Sequence, residues 1–209
     1  MEICPIGNNS GQFCEGTVQP NELAAAIIEI ENIFLSPRDQ ALVKAKLGEI
    51  LARVSSEDFS ALTPEQKLKH LHQILINEFS LRFRRQEIPN RPGVSANLFS
   101  LSLLSGRVDC DVMSQLFLII GQELNWPLHL VRAPRHVFIR WQDNNYTFNY
   151  ETTDNWLPTD QEYIDHFKIP AAGIKSGAYL RTLSEEEAKA LVYLTRGRGR
   201  GEFGDWAGA

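Results

Sequence analysis

A chain of 209 residues with 21 basic and 26 acidic side chains, net charge −5, can bury the core of one domain with appendages and is too acidic to favour nucleic acid as its main partner. Its three cysteines are too few and too odd in number for a disulfide framework, so a reducing compartment is the default, and pairing of Cys4 with Cys14 would rest on spacing alone. The N-terminus lacks a basic n-region and an apolar h-region, and no apolar run approaches the ~18 residues of a membrane span. A cytoplasmic protein with no membrane partner is therefore expected, with signal-independent secretion left open.

Residues 1–19 read as a flexible leader. Residues 20–93 read as a helical N-terminal region. Asn21 can cap a helix carrying Leu23, Ile27, Ile30 and Phe34 at helical spacing. Ser36-Pro37 places a cap before a first-turn proline, opening a helix with Val43, Leu47, Ile50 and Val54. Thr63-Pro64-Glu65-Gln66 is a capping box, and the helix it starts carries Leu68, Leu71, Leu75 and Phe79. His70 and His72 ride on that helix at i,i+2, facing different directions, so surface or packing roles are expected for them rather than a shared metal.

Pro89 and Pro92-Gly93 close this region. The core is expected over 94–160, beginning with a short helix near Asn97–Leu104. Gly106 interrupts, and Asp109 is a suitable N-cap for a helix starting at Cys110. Val112, Met113, Leu116, Phe117, Ile119, Ile120 and Leu124 make that helix apolar nearly all round, which marks a buried, central helix. After Trp126-Pro127, "LHLVRAPRHVFIRW" and "YTFNYETT" read as strand, "QDNN" between them as a turn. Beyond Trp156 the chain reads as irregular up to Gly177. Within a C-terminal segment spanning 161–195, a capping box at Ser184–Glu187 starts a last helix ending near Thr195. Residues 196–209 alternate Gly and Arg and read as a loose tail, too short for an RNA-binding reading to carry weight.

The chemistry-bearing candidate is Cys110. A cysteine in the first turn of a helix faces unpaired backbone N–H groups and the positive end of the helix dipole, both of which favour the thiolate nucleophile. Acyl chemistry also needs a base, usually His, and a group that orients it. His70, His72 and His166 lie in unsuitable segments and His129 inside a strand, whereas His136 follows Pro134-Arg135 and opens a strand. A two-residue loop at Asp143-Asn144 pairs His136 with Glu151 and Ile139 with Phe148. That register sets His136, Asn149 and Glu151 on one face and Val137, Ile139, Trp141, Tyr146, Phe148 and Tyr150 on the other. Either Asn149 or Glu151 can accept the distal imidazole N–H, Glu151 being nearer by simple pairing.

The order of these residues resembles the transglutaminase-like branch of the papain-like thiol superfamily. The likeness lies in "GRVDCDVMSQLFLIIGQELNWPLHLVRAPRHVFIRW" and "TFNYETTDNW" and covers roughly residues 63–160. It comprises a glycine shortly before the cysteine, a small turn ending the helix, a histidine beginning an apolar strand, and a D/N-x-T-like segment ending the next. A preceding helical segment resembles a bacterial subgroup. The resemblance implies Cys110 as nucleophile, His136 as base and, in preference to Glu151, Asn149 as orienter. The chain departs from the pattern in two ways. Asn149 stands where transglutaminases usually carry Asp, and Asp109 and Asp111 oppose the thiolate. Asn97 and Gln115 are the candidate oxyanion donors.

The expected fold is α+β: a Cys-bearing central helix on a small antiparallel sheet, preceded by a helical region. The expected function is thiol acyl transfer on amide bonds of a protein or peptide, by hydrolysis, deamidation or transamidation. The alternative is a non-catalytic interaction module of the same fold. No cofactor and no metal are expected, since Cys110 and His136 lack companion ligands at usual spacing.

Overall fold

The computed structural model describes residues 21–83 and 98–202. The leader with Cys4 and Cys14, residue Asn97, the end of the tail, and the side chains at 195, 196 and 198–202 lie outside the described residues. Helix α1 (Glu22–Glu31) opens where Asn21 accepts the Ala24 N–H at 3.0 Å. It stops short of Phe34, which falls in a 3₁₀ turn over Asn32–Phe34. Helix α2 (Pro37–Ser55) is capped by Ser36, and α3 (Pro64–Asn77) by the reciprocal Thr63–Gln66 box.

Strand β1 (Arg82–Phe83) pairs in parallel with β2 (Arg107–Val108), and α4 (Phe99–Ser105) lies between them in sequence. The first two N–H groups of α4, from Phe99 and Ser100, each donate to the buried Glu31 carboxylate at 2.8 Å. A side chain of α1 thus satisfies helix donors that α4 cannot satisfy itself. Gly106 ends α4 with a left-handed φ of 70°, a conformation that costs glycine little. The chain then passes through β2 directly into α5.

Helix α5 (Cys110–Glu123) is capped by Asp109, which accepts the Val112 N–H at 2.9 Å. Every residue from Val112 to Gly121 is buried, as its all-round apolar character requires. It packs on α2, α4, β2 and the main sheet. At Gly121 a Cβ would come within 2.7 Å of a Leu128 methyl carbon, so the absence of a side chain lets helix and sheet approach.

The sheet is antiparallel in the order β3 (Leu128–Ala133), β4 (His136–Gln142), β5 (Thr147–Tyr150). Its strands β3 and β4 are joined by Pro134-Arg135, with Arg135 left-handed at φ 58°. Leu130, Val137, Ile139, Trp141 and Tyr150 join the α5 core. On the opposite face Val131, Ala133 and Phe138 form a second cluster with Tyr163, Ile169 and Leu180. The 180–183 segment runs along β3, donating from Leu180 to the Arg132 carbonyl and from Leu183 to the Leu130 carbonyl. The architecture is α+β.

Three expectations are corrected. The β4–β5 turn spans four residues, so Ile139 pairs with Tyr150 and Arg140 with Asn149. The cause is Asp143, whose Oδ1 accepts the N–H groups of Asn145 and Tyr146 at 2.7 Å and whose own N–H reaches the Tyr146 carbonyl. The shift is by two positions, so each residue keeps its face but changes its neighbour. The stretch expected to be irregular contains α6 (Asp160–Phe167) and α7 (Ala171–Lys175). Finally, α8 (Glu185–Glu202) packs on α1 and continues past Thr195 into the Gly/Arg run.

Candidate active site

Cys110 is a half-buried free thiol at the start of α5, close enough to the His136 imidazole for its sulfur to raise the pKa of that ring. His136 opens β4 immediately after the Pro134-Arg135 turn. Its Nε2 lies 2.6 Å from Glu151 Oε2, which leaves Nδ1 as the ring nitrogen for the sulfur. Glu151 stands just beyond β5, diagonal to His136 in the observed register. Diagonal neighbours on one sheet face are within reach of long side chains.

The Glu151 carboxylate is 4% exposed and accepts four hydrogen bonds. Oε2 takes His136 and, at 2.9 Å, the Tyr163 hydroxyl, while Oε1 takes the Thr153 N–H at 3.0 Å and the Thr153 hydroxyl at 2.6 Å. Burial alone would push this carboxyl up. Its bond to His136, that residue's positive charge and the Thr153 donors hold it below the ordinary carboxylate value. For His136, burial opposes the imidazolium. The neighbouring Cys110 sulfur and the Glu151 carboxylate outweigh burial and raise its pKa to about 10.

Asn149 does not meet His136. Its Oδ1 accepts from Arg140 Nε at 2.7 Å, and its Nδ2 donates to Asp160 Oδ1 at 2.7 Å. Arg140 also donates to Asp160 at 2.5 Å and to the Leu180 carbonyl at 3.0 Å. Asn149 thus belongs to a buried tie between the sheet and the start of α6. The group bonded to His136 is Glu151, a carboxylate like the Asp that the family resemblance leads one to expect.

Two contributors escaped sequence reasoning. Helix α6 lays Tyr163 on Glu151 and Phe167 against the His136 ring, centroids 5.2 Å apart and planes at 23°. The signal was present: Thr159-Asp160-Gln161-Glu162 is a capping box, and both of its bonds form. Of the candidate oxyanion donors, Gln115 is buried in the second turn of α5 and Asn97 lies outside the described residues. His70 binds Glu57 at 2.9 Å, away from Cys110, and His129 sits opposite Arg140 on β3. Among the described residues, no three His, Cys, Asp or Glu side chains cluster as metal ligands, and no helix is long and apolar enough to cross a membrane.

A family model described as the transglutaminase-like superfamily matches residues 41–169, more than half of the chain. The chain belongs to the transglutaminase-like superfamily. Searches of curated proteins and of solved structures found no significant match. The matched region begins inside α2 and ends just past α6, so the helix that backs His136 is part of the transglutaminase-like unit.

The shifts in this transglutaminase-like dyad predict a pH window for stability. His136 is raised from 6.5 to about 10, so its contribution is complete below 6.5 and is lost as pH rises towards 10. Glu151 is lowered from 4.5, so its contribution is present above 4.5 and is lost as pH falls through its folded value. The stability gap between the wild type and His136→Phe is therefore widest between pH 4.5 and 6.5 and narrows on both sides. Thermal melts of both proteins across pH 3–11 (roughly the range over which carboxyl and imidazole titrate) test this. A pH-independent gap contradicts it.

Proposed function

We propose that this transglutaminase-like protein catalyses acyl transfer from an amide of a protein or peptide through Cys110, His136 and Glu151. The supporting observation is one imidazole that neighbours a half-buried thiol and is bonded to a buried carboxylate. In the first half-reaction the Cys110 sulfur, as thiolate, attacks the amide carbonyl carbon and the carbonyl π pair moves onto oxygen. Donors at the N-terminus of α5, the Cys110 N–H first among them, face that oxyanion. Collapse expels the amine, which takes its proton from the His136 imidazolium, and leaves a thioester on Cys110. In the second half-reaction water or an amine attacks the thioester and gives its proton back to His136, and the thiolate departs. Water as acceptor gives hydrolysis or deamidation; an amine gives a new amide. Glu151 holds the ring and its charge throughout.

A peptide-substrate screen, run with and without an added primary amine, tests the reading by comparing the intact protein with Cys110→Ala. The expected result is amide turnover by the intact protein that falls by about 10⁴-fold or more in the variant. Turnover that survives loss of the sulfur, or a blank screen with the intact protein, counts against it.

A further inference from the structure

Backbone pairing between β4 and β5 ends at Ile139–Tyr150. Continued in the same register, it would set Val137 across from Thr152, but Glu151 has turned away to bridge Trp156. Side chains take over at this point. The Ser114 hydroxyl lies 3.2 Å from the Val137 carbonyl and 3.1 Å from the Thr152 hydroxyl. A serine has one proton to donate, so with that proton on Val137 the donor to Ser114 is Thr152. Both side chains are fully buried.

Each of the three linked residues adjoins a different member of the candidate active site. Ser114 lies one helical turn beyond Cys110, Val137 follows His136, and Thr152 follows Glu151. Apolar packing of α5 on the sheet is non-directional and tolerates small slides of helix along strand. Hydroxyl bonds are directional and do not. We propose that the Ser114 and Thr152 hydroxyls are positioning residues, a clasp that sets the relative placement of Cys110, His136 and Glu151. The proposal rests on the site reading above for the identity of the three groups, but not on any substrate.

The test uses the full chain and four variants: Thr152→Val, which keeps shape and loses the hydroxyl, Thr152→Ser, which keeps the hydroxyl, Ser114→Ala, and the double variant Ser114→Ala/Thr152→Val. The readouts are the pH profile of Cys110 alkylation by iodoacetamide and the NMR titration of the His136 ring. A displacement of a fraction of an ångström in such a site corresponds to roughly tenfold in rate. Thr152→Val and Ser114→Ala should each slow alkylation about tenfold and move its pH midpoint. Thr152→Ser should behave as wild type, and the double variant should be no slower than the slower single one. A wild-type profile in Thr152→Val overturns the proposal, whatever its melting temperature. So does a Thr152→Ser profile as altered as that of Thr152→Val, since the methyl rather than the hydroxyl would then matter. Should Ser114→Ala fail to fold, the Thr152 pair decides alone. A blank amide screen beside a clear clasp effect sinks the proposed function only; an active amidase with an unmoved Thr152→Val profile sinks the clasp only.

Discussion

If the proposed reaction holds, replacing Glu151 with glutamine is expected to lower kcat/KM on an amide substrate by about 10²–10⁴-fold, the scale seen when a triad carboxylate becomes an amide. The substitution removes the negative charge beside His136, and an amide cannot accept all four bonds that Glu151 now accepts. If its NH₂ faces Nε2, the ring must give up the proton there and presents the wrong tautomer to the sulfur. Asn149→Ala, by contrast, leaves the rate within about twofold and costs about 1–2 kcal/mol of stability, because it strips one acceptor from buried Arg140. Steady-state kinetics and denaturant melts of the two variants check the pair of expectations. A large rate loss in Asn149→Ala with little in Glu151→Gln would reverse the assignment of the orienting group.

Glu31→Ala carries the largest expected loss of stability, about 2–4 kcal/mol. Two backbone donors at the start of α4 lose charge-assisted bonds in a site where the carboxylate is 2% exposed. Burial pushes the Glu31 carboxyl up while the Ser100 and Phe99 bonds pull it back, so part of the loss is offset when the buried carboxyl is removed. The effect bears on function because α4, Gly106 and β2 form the only run of chain between Glu31's contact and Cys110. Urea denaturation measures the cost. A loss below about 1 kcal/mol would mean that the two N–H groups find other acceptors.

What could be read in the sequence was local. Asn21, Ser36, Thr63, Asp109 and Ser184 each announce a helix within four residues, and each caps one. The apolar girdle of α5 identifies a buried helix without any partner being known. Face assignment in the hairpin survived because a shift of two preserves alternation. The preference for Asn149 over Glu151 came from the family resemblance and not from the strand pairing, which already put Glu151 nearer to His136, the ring it is bonded to. The capping box at Thr159–Glu162 announces α6 but not what Tyr163 and Phe167 touch: their contacts with Glu151 and His136 cross 12 and 31 positions of sequence, and no spacing rule reaches that far. The glutamate–backbone bonds between α1 and α4 cross 68 and 69 positions and share that obscurity.

The complete set of bonds at Glu151 has a mechanical consequence. A carboxylate offers about four lone-pair sites, and here all four are occupied. Phe167 backs the attached ring, so swinging the imidazole breaks contacts on two sides at once. Cys110 carries a single side-chain torsion and is held by fewer constraints. In the proposed reaction, the adjustments that let a bulky acyl group arrive and leave would fall to rotation of the sulfur about Cα–Cβ, with the imidazole as the stationary half of the pair.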